Sequence, residues 1–333
     1  MLSRVADSLF WMGLYVERAE NIARIVDVNS QLMLDLPREQ ADRISRNWMP
    51  VVASLGDERA FRERHKKADA EAVTDFLLFD RSHTNSIVGS LAAARENART
   101  VREQISTEMW EQINRTYLWL TSKGSRQFFH RNAYEFFERT KKSLQLFQGI
   151  TDSVMMQGEG WEFLRMGRYL ERADKASRLL DDEFFLVKGD GKSNGTAVIQ
   201  WQAILRCSNA RQAYQRLYAT VVEPIRVAEL LLLHEEFPRS VEHCLRGLDQ
   251  ALRRMSGVSS GKFSNQAEKL SGRLLSELSF GSIEEIWQRG LHQAMDDLQL
   301  KLNAIGAAIR DVYINPAVPV AAMATAATAQ VPQ

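Results

Sequence analysis

Two short stretches carry side chains suited to chemistry on an anion. Glu17, Arg18, Asn21 and Arg24 form the first, and Arg95, Glu96, Asn97, Arg99 and Arg102 the second. A guanidinium presents a planar fork of N–H donors that matches a carboxylate or a phosphate, so arginines and asparagines left over from ion pairing would line a pocket for such a group. A carboxylate beside them, Glu17 or its later counterpart Glu171, would be the natural general base. The competing account is structural. Charged residues on the apolar flank of a helix pair with other helices and set the register of packing.

Other chemistries find little support. The six histidines (His65, His83, His130, His234, His243, His292) include no Glu-x-x-His or His-x-x-x-His pair of the kind that brings ligands together on a helix, so no metal site is expected. Neither a Gly-x-x-x-x-Gly-Lys-Ser/Thr loop nor a Gly-x-Gly-x-x-Gly turn is present, and no cofactor is expected. Cys207 and Cys244 sit in no nucleophile motif and read as packing residues. Forty-three basic residues against 42 acidic ones leave a formal charge of +1, which supplies no field to draw the chain to nucleic acid or anionic lipid.

The elements that must position these residues are helices. Val5, Leu9, Met12, Val16, Ala19, Ala23 and Val26 follow spacings of three and four, which makes one apolar stripe and places a core helix over the first motif. Glu17 and Arg18 then point about 100° apart and cannot pair with each other, so each needs a partner on another helix. Arg95, Arg99 and Arg102 share one face of a second helix that begins near Thr84. The first helix also recurs: GLYVERAENIARIVDV from Gly13 aligns with GRYLERADKASRLLDD from Gly167, pairing Glu17 with Glu171, Arg18 with Arg172 and Arg24 with Arg178. A second stretch keeps the same offset of 154, matching Leu77 to Leu231, Ser86 to Ser240 and Leu91 to Leu245. A constant offset points to a tandem duplication. At that offset Arg95, Glu96 and Asn97 face Asp249, Gln250 and Ala251, so only the first half keeps the arginine-rich cluster.

Glu17-Arg18-Ala19-Glu20-Asn21, Ala94-Arg95-Glu96-Asn97-Ala98-Arg99 and Trp110-Glu111, with Leu2-Ser3-Arg4 and Phe10-Trp11 before them, resemble the bacterial alpha-E family over about residues 1 to 315. The resemblance implies association with ATP-grasp amide-ligase-like proteins and with transglutaminase-like proteins. It assigns no reaction to the helical domain itself.

Taken together, the expected fold class is all-α, with two tandem, topologically related helical bundles packed as one body: residues 1–157, residues 158–314, and a disordered Ala/Pro tail over 315–333. Helices are expected over 126–156, 201–218, 224–233, 238–255, 265–278 and 283–312, with Pro37 ending the first and KGDGKSN (188–194) as the clearest loop. The N-terminus lacks a basic segment followed by an apolar run, and no window of about 18 apolar residues occurs, so a cytoplasmic location without membrane association is expected. The function expected is a non-catalytic helical accessory or scaffold protein of an ATP-grasp-like ligase system; the alternative is an enzyme or substrate-binding subunit acting on a carboxylate- or phosphate-bearing substrate. Arg18, ringed by Trp11, Leu14, Tyr15, Ile22 and Ile25, should be buried more deeply than Arg172 and should meet Glu171, Glu96 or Glu111.

Overall fold

A computed structural model describes residues 1–35, 38–181, 194–218 and 221–315. Pro37, most of the 188–194 loop and the tail beyond residue 315 lie outside the described residues. Among those described there is no strand, and the fold is all-α. The first half contains α1 (Ser3–Asp35), α2 (Arg38–Ser45), α3 (Met49–Ala53), α4 (Glu58–Arg62), α5 (Ala70–Phe79), α6 (Ile87–Thr100), α7 (Thr107–Leu120), α8 (Lys123–Arg131) and α9 (Ala133–Val154). The second contains α10 (Glu159–Leu180), α11 (Asn194–Cys207), α12 (Arg211–Tyr218), α13 (Pro224–Leu233), α14 (Val241–Ser256), α15 (Gln266–Ser279), α16 (Ile283–Arg289) and α17 (Leu291–Ile309), closed by a π-helical turn, Arg310–Ile314.

Several boundaries differ from the periodicity, each for a local reason. The helix expected from Thr84 starts at Ile87, because the Ser86 side chain caps it by accepting from the Gly89 N–H. The run 126–156 is two helices, since Asn132 leaves the helical conformation and accepts from the Glu135 N–H to start α9. Asn209, at φ 54°, divides 201–218, and Gly290, at φ 94°, divides 283–312. An apolar stripe continues smoothly across such caps, which is why spacing alone does not reveal them.

The offset of 154 recurs in space. α5 and α13 start 154 residues apart, as do α6 and α14. Their capping serines also behave alike: Ser86 Oγ donates to the Asp80 carbonyl at 2.5 Å, and Ser240 Oγ to the His234 carbonyl at 2.6 Å. α1 is buried nearly all round from Val5 to Val28, packed by α10, α6, α9, α11 and α5. Its crossing with α10 is the closest approach of the two halves. A Cβ built on Gly13 would stand 2.2 Å from the Leu164 carbonyl oxygen, and one on Gly167 would stand 2.0 Å from that of Phe10. Phe10 and Leu164 are themselves 154 apart, so the crossing is reciprocal, each helix giving a glycine to the other's backbone.

Backbone cannot move aside as a side-chain tip can, so overpacking here acts on the whole interface. Gly13→Ala and Gly167→Ala should each lower stability by about 1–3 kcal/mol. Gly149→Ala, where an added Cβ meets nothing within 4 Å, should not. Denaturant unfolding of the three variants checks this, and equal stabilities would mean that the helices do not approach so closely.

Candidate functional site

At the α1–α10 crossing the two Glu-Arg pairs engage each other. Arg18 donates from Nε and Nη2 to Glu171, at 2.9 and 2.7 Å. Arg172 donates from the same two atoms to Glu17, at 2.9 and 2.8 Å. Both are bidentate fork-to-carboxylate pairs, the strongest geometry for these groups. Because adjacent residues on a helix point about 100° apart, each Glu-Arg dipeptide serves two sides of the crossing. The two sides differ.

On the first side the site is filled. Glu17 is fully buried, and Arg239, on the turn before α14, donates to Glu17 Oε1 (3.1 Å), Asn21 Oδ1 (3.0 Å) and Glu20 Oε1 (2.8 Å). Arg24 donates to Glu20 at 2.6 Å. From α9, Gln148 donates to Glu17 at 3.0 Å and Gln145 to Glu20 at 3.1 Å, while Lys141 pairs with Asp27 at 2.8 Å. Burial works to raise the Glu17 pKa, but the Arg172 and Arg239 guanidinia outweigh it and hold the carboxyl down to about 2. A base needs a pKa nearer the working pH, so Glu17 is poorly suited to proton abstraction.

The second side is open. Arg18, Glu171, Asp174, Lys175 and Arg178 line a cavity of about 510 Å³ together with Asn85, Trp11 and Arg310. Asn85 stands where the offset places Arg239. It accepts from Arg18 Nη1 at 2.6 Å and donates to Asp57 at 2.7 Å. This opening reverses the expected order of burial: the Arg18 side chain is 19% exposed and that of Arg172 10%. Arg172 is covered by Gln148 and by the Pro238 carbonyl, whereas Arg18 faces the cavity. The acidic partner of Arg18 is Glu171, one of the three expected.

The second motif lies apart from this centre. Arg95 donates to Asn114 at 2.6 Å and rests over Trp110 and Tyr117, Arg102 rests over Trp110, and Glu96 and Arg99 pair at the surface. Asn97 is half-buried, and its carbonyl accepts from Thr100. All these partners belong to α6 and α7. Arg102 falls beyond the end of α6, in a 3-10 turn (Arg102–Gln104), so the three arginines do not share one helix; rings on α7 meet Arg95 and Arg102, while Arg99 stays on Glu96. Residues with no motif signal complete the two sides instead: Arg239, Gln148, Asn85 and Arg310.

Both thiols are buried, which pushes Cys207 and Cys244 up to about 12 and leaves them protonated. Among the described residues, Asp181, His292 and Asp296 bring donor atoms within 4.8 Å of one another. His292 Nδ1 lies at hydrogen-bond distance from Asp181, 2.8 Å, and Nε2 lies 3.6 Å from Asp296.

Breaking either clamp should be costly, because the remaining carboxylate stays buried: about 3–5 kcal/mol for Arg172→Met, in denaturant unfolding. Arg18→Met should cost less than Arg18→Ala, since Met keeps the packing of the arginine stem. Glu17 also makes stability depend on pH. Its folded pKa, about 2, lies below the ordinary 4.5, so the contribution is full above 4.5 and is lost as pH falls toward 2. Urea unfolding between about pH 5 and about pH 2 should show a steeper loss in the wild type than in Glu17→Gln. Parallel profiles would mean that another group carries the titration.

Comparison with known proteins gives a family and no activity. The chain is 26% identical over 324 residues to an uncharacterized protein of Mycobacterium bovis and to uncharacterized proteins of two Mycobacterium tuberculosis strains. That similarity covers 93% of this chain but 36% of each relative, so the chain spans about a third of the length of the curated relatives it matches. No solved structure matches it. Residues 1–314 match a family described as a predicted alpha-helical domain with a conserved ER motif. With both Glu-Arg dipeptides locked together at the centre of an all-helical fold, the chain belongs to the Alpha-E family.

Proposed function

We propose that this protein is a non-catalytic helical accessory or scaffold, working in the cytoplasm beside an ATP-grasp-like amide or peptide ligase and a transglutaminase-like protein. The observation that carries the reading is the reciprocal clamp: the ionisable groups of the Glu-Arg motif are consumed in holding α1 against α10. Glu17, held down to about 2, is poorly suited as a base, and the two protonated thiols are poorly suited as nucleophiles. Relatives nearly three times as long fit a unit that works joined to, or docked on, other domains. No helix among the described residues is long and apolar enough to cross a membrane. The ligase itself rests on the family resemblance.

Residues 1–157 and 158–314 are, on this reading, two copies of one helical unit. The reciprocal glycine contacts and the two serine caps support that division. The test is purification of the tagged full-length chain at native expression level, with its partners identified by mass spectrometry. An ATP-grasp-like protein is expected in stoichiometric amount. A monomer carrying no such protein would overturn the reading.

A further inference from the structure

The clamp and its neighbours pair the buried acids on one side of the crossing and leave the other side open. On the filled side, the Arg239 guanidinium occupies the space over Glu17, Glu20 and Asn21. At the matching positions of the open side stand Glu171, Asp174 and Lys175, and above them the shorter Asn85 leaves about 510 Å³. A cation from the protein closes one site. Lys175, in place of the neutral Asn21, brings the positive charge of the other site onto its floor and leaves the space above vacant.

Donors without a protein acceptor face this space, while Lys175 and Arg178 crowd onto Asp174 Oδ2 and leave its Oδ1 without a donor. Arg18 is satisfied by Glu171 and Asn85. Arg178 uses only Nε, on Asp174 at 2.9 Å; among the described residues neither Nη1 nor Nη2 has an acceptor. Its guanidinium packs against Gly56, whose φ of 78° and missing side chain make the room: a Cβ there would stand 3.3 Å from Nη1. Arg310, in the π-helical turn, has no acidic partner among the described residues and rests 6.0 Å from the Trp11 ring. Four cations thus line the cavity against two carboxylates, Glu171 and Asp174, with Asp57 set back behind Asn85. The remaining wall is apolar, formed by Trp11, Leu55, Leu170 and Leu302.

From this juxtaposition we infer that the cavity between α1, α10 and α17 binds a small molecule with an oxyanion head and an apolar or planar body. The head, a phosphoryl or carboxylate group, meets the free Nη atoms of Arg178 and the Arg310 guanidinium. The body lies against Trp11 and the leucines. The volume suits a metabolite-sized ligand, and Asp174 holds Arg178 through its Nε. This site is independent of the scaffold reading, since a docked accessory protein would function with or without it.

Calorimetric titration of the full chain with phenyl phosphate, benzoate and benzyl alcohol tests the inference. One of the two anions should bind, and the uncharged alcohol should not; which anion binds separates a phosphoryl from a carboxylate ligand. Arg310→Gln, at a partly exposed position, should fold normally and weaken that binding about tenfold or more. Asn85→Arg should close the cavity as Arg239 closes its counterpart, and abolish it. Absence of binding by both anions at millimolar concentration, or affinity unchanged in Arg310→Gln, would overturn the assignment.

Discussion

The structure depends on a pair of buried charges that neutralise each other across one helix crossing. A carboxylate or a guanidinium taken out of water alone would cost several kcal/mol, and each pair recovers that cost only through close bidentate geometry. Such geometry requires α1 and α10 to meet at a fixed depth and register. The depth comes from Gly13 and Gly167, which let each backbone rest on the other's carbonyl. The register comes from the offset, which makes Arg18 reach Glu171 when Arg172 reaches Glu17. A crossing of this kind is self-complementary in the manner of a two-fold dimer interface, where one residue type on each partner supplies both halves of the contact. A single dipeptide, repeated once, therefore yields two clamps.

From that constraint follows the asymmetry between the two sides. Around the Glu17 clamp, α9 contributes Lys141, Gln145 and Gln148, and the turn before α14 contributes Arg239. Every acid buried there faces a donor. Around the Glu171 clamp, Lys175 and Arg178 share Asp174, and the turn before α6 offers only Asn85. Two differences accompany the lined cavity: asparagine stands in place of arginine on the turn, and Leu302 of α17 stands where the offset places Gln148. Arg18 is consequently the more exposed of the two clamp arginines, although its sequence neighbours are the more apolar. Flanking residues on one helix describe only that helix's own surface, and burial is decided by what the other helices bring.

The sequence made the central pairing legible and left its surroundings obscure. Glu17 and Arg18 could not pair with each other, and the offset named Glu171 among the partners of Arg18. The all-helical class followed from the same spacing. The spacing of Arg95, Arg99 and Arg102 carried no sign that α6 ends at Thr100, before Arg102, nor that Trp110 and Tyr117 of α7 would lie against Arg95. Asn85 and Arg239 carry no motif and sit on turns, where periodicity is silent. A signal for them did exist: they are mismatched residues directly before the matched serines Ser86 and Ser240. A difference set beside an identity at the same offset marks the turn that separates the two sides.

A structural role for the motif and a binding role for its neighbourhood are compatible because they use different atoms. The clamp occupies Nε and Nη2 of Arg18, and Asn85 holds its Nη1, so that guanidinium is fixed and spent. Fixing it has a consequence for the cavity. Glu171, bound to Arg18, has less negative charge to offer Lys175, which stands 3.8 Å away. Asp174 is shared between Lys175 and Arg178 and cannot fully neutralise both. The surplus positive charge is therefore carried on a rigid floor, with the donors that lack partners directed toward open space. Arg178, held on Asp174 through Nε, has its Nη atoms placed before a ligand arrives, which is what a preorganised site requires. The Glu-Arg motif thus contributes to binding by holding the floor in place, without itself touching what is bound.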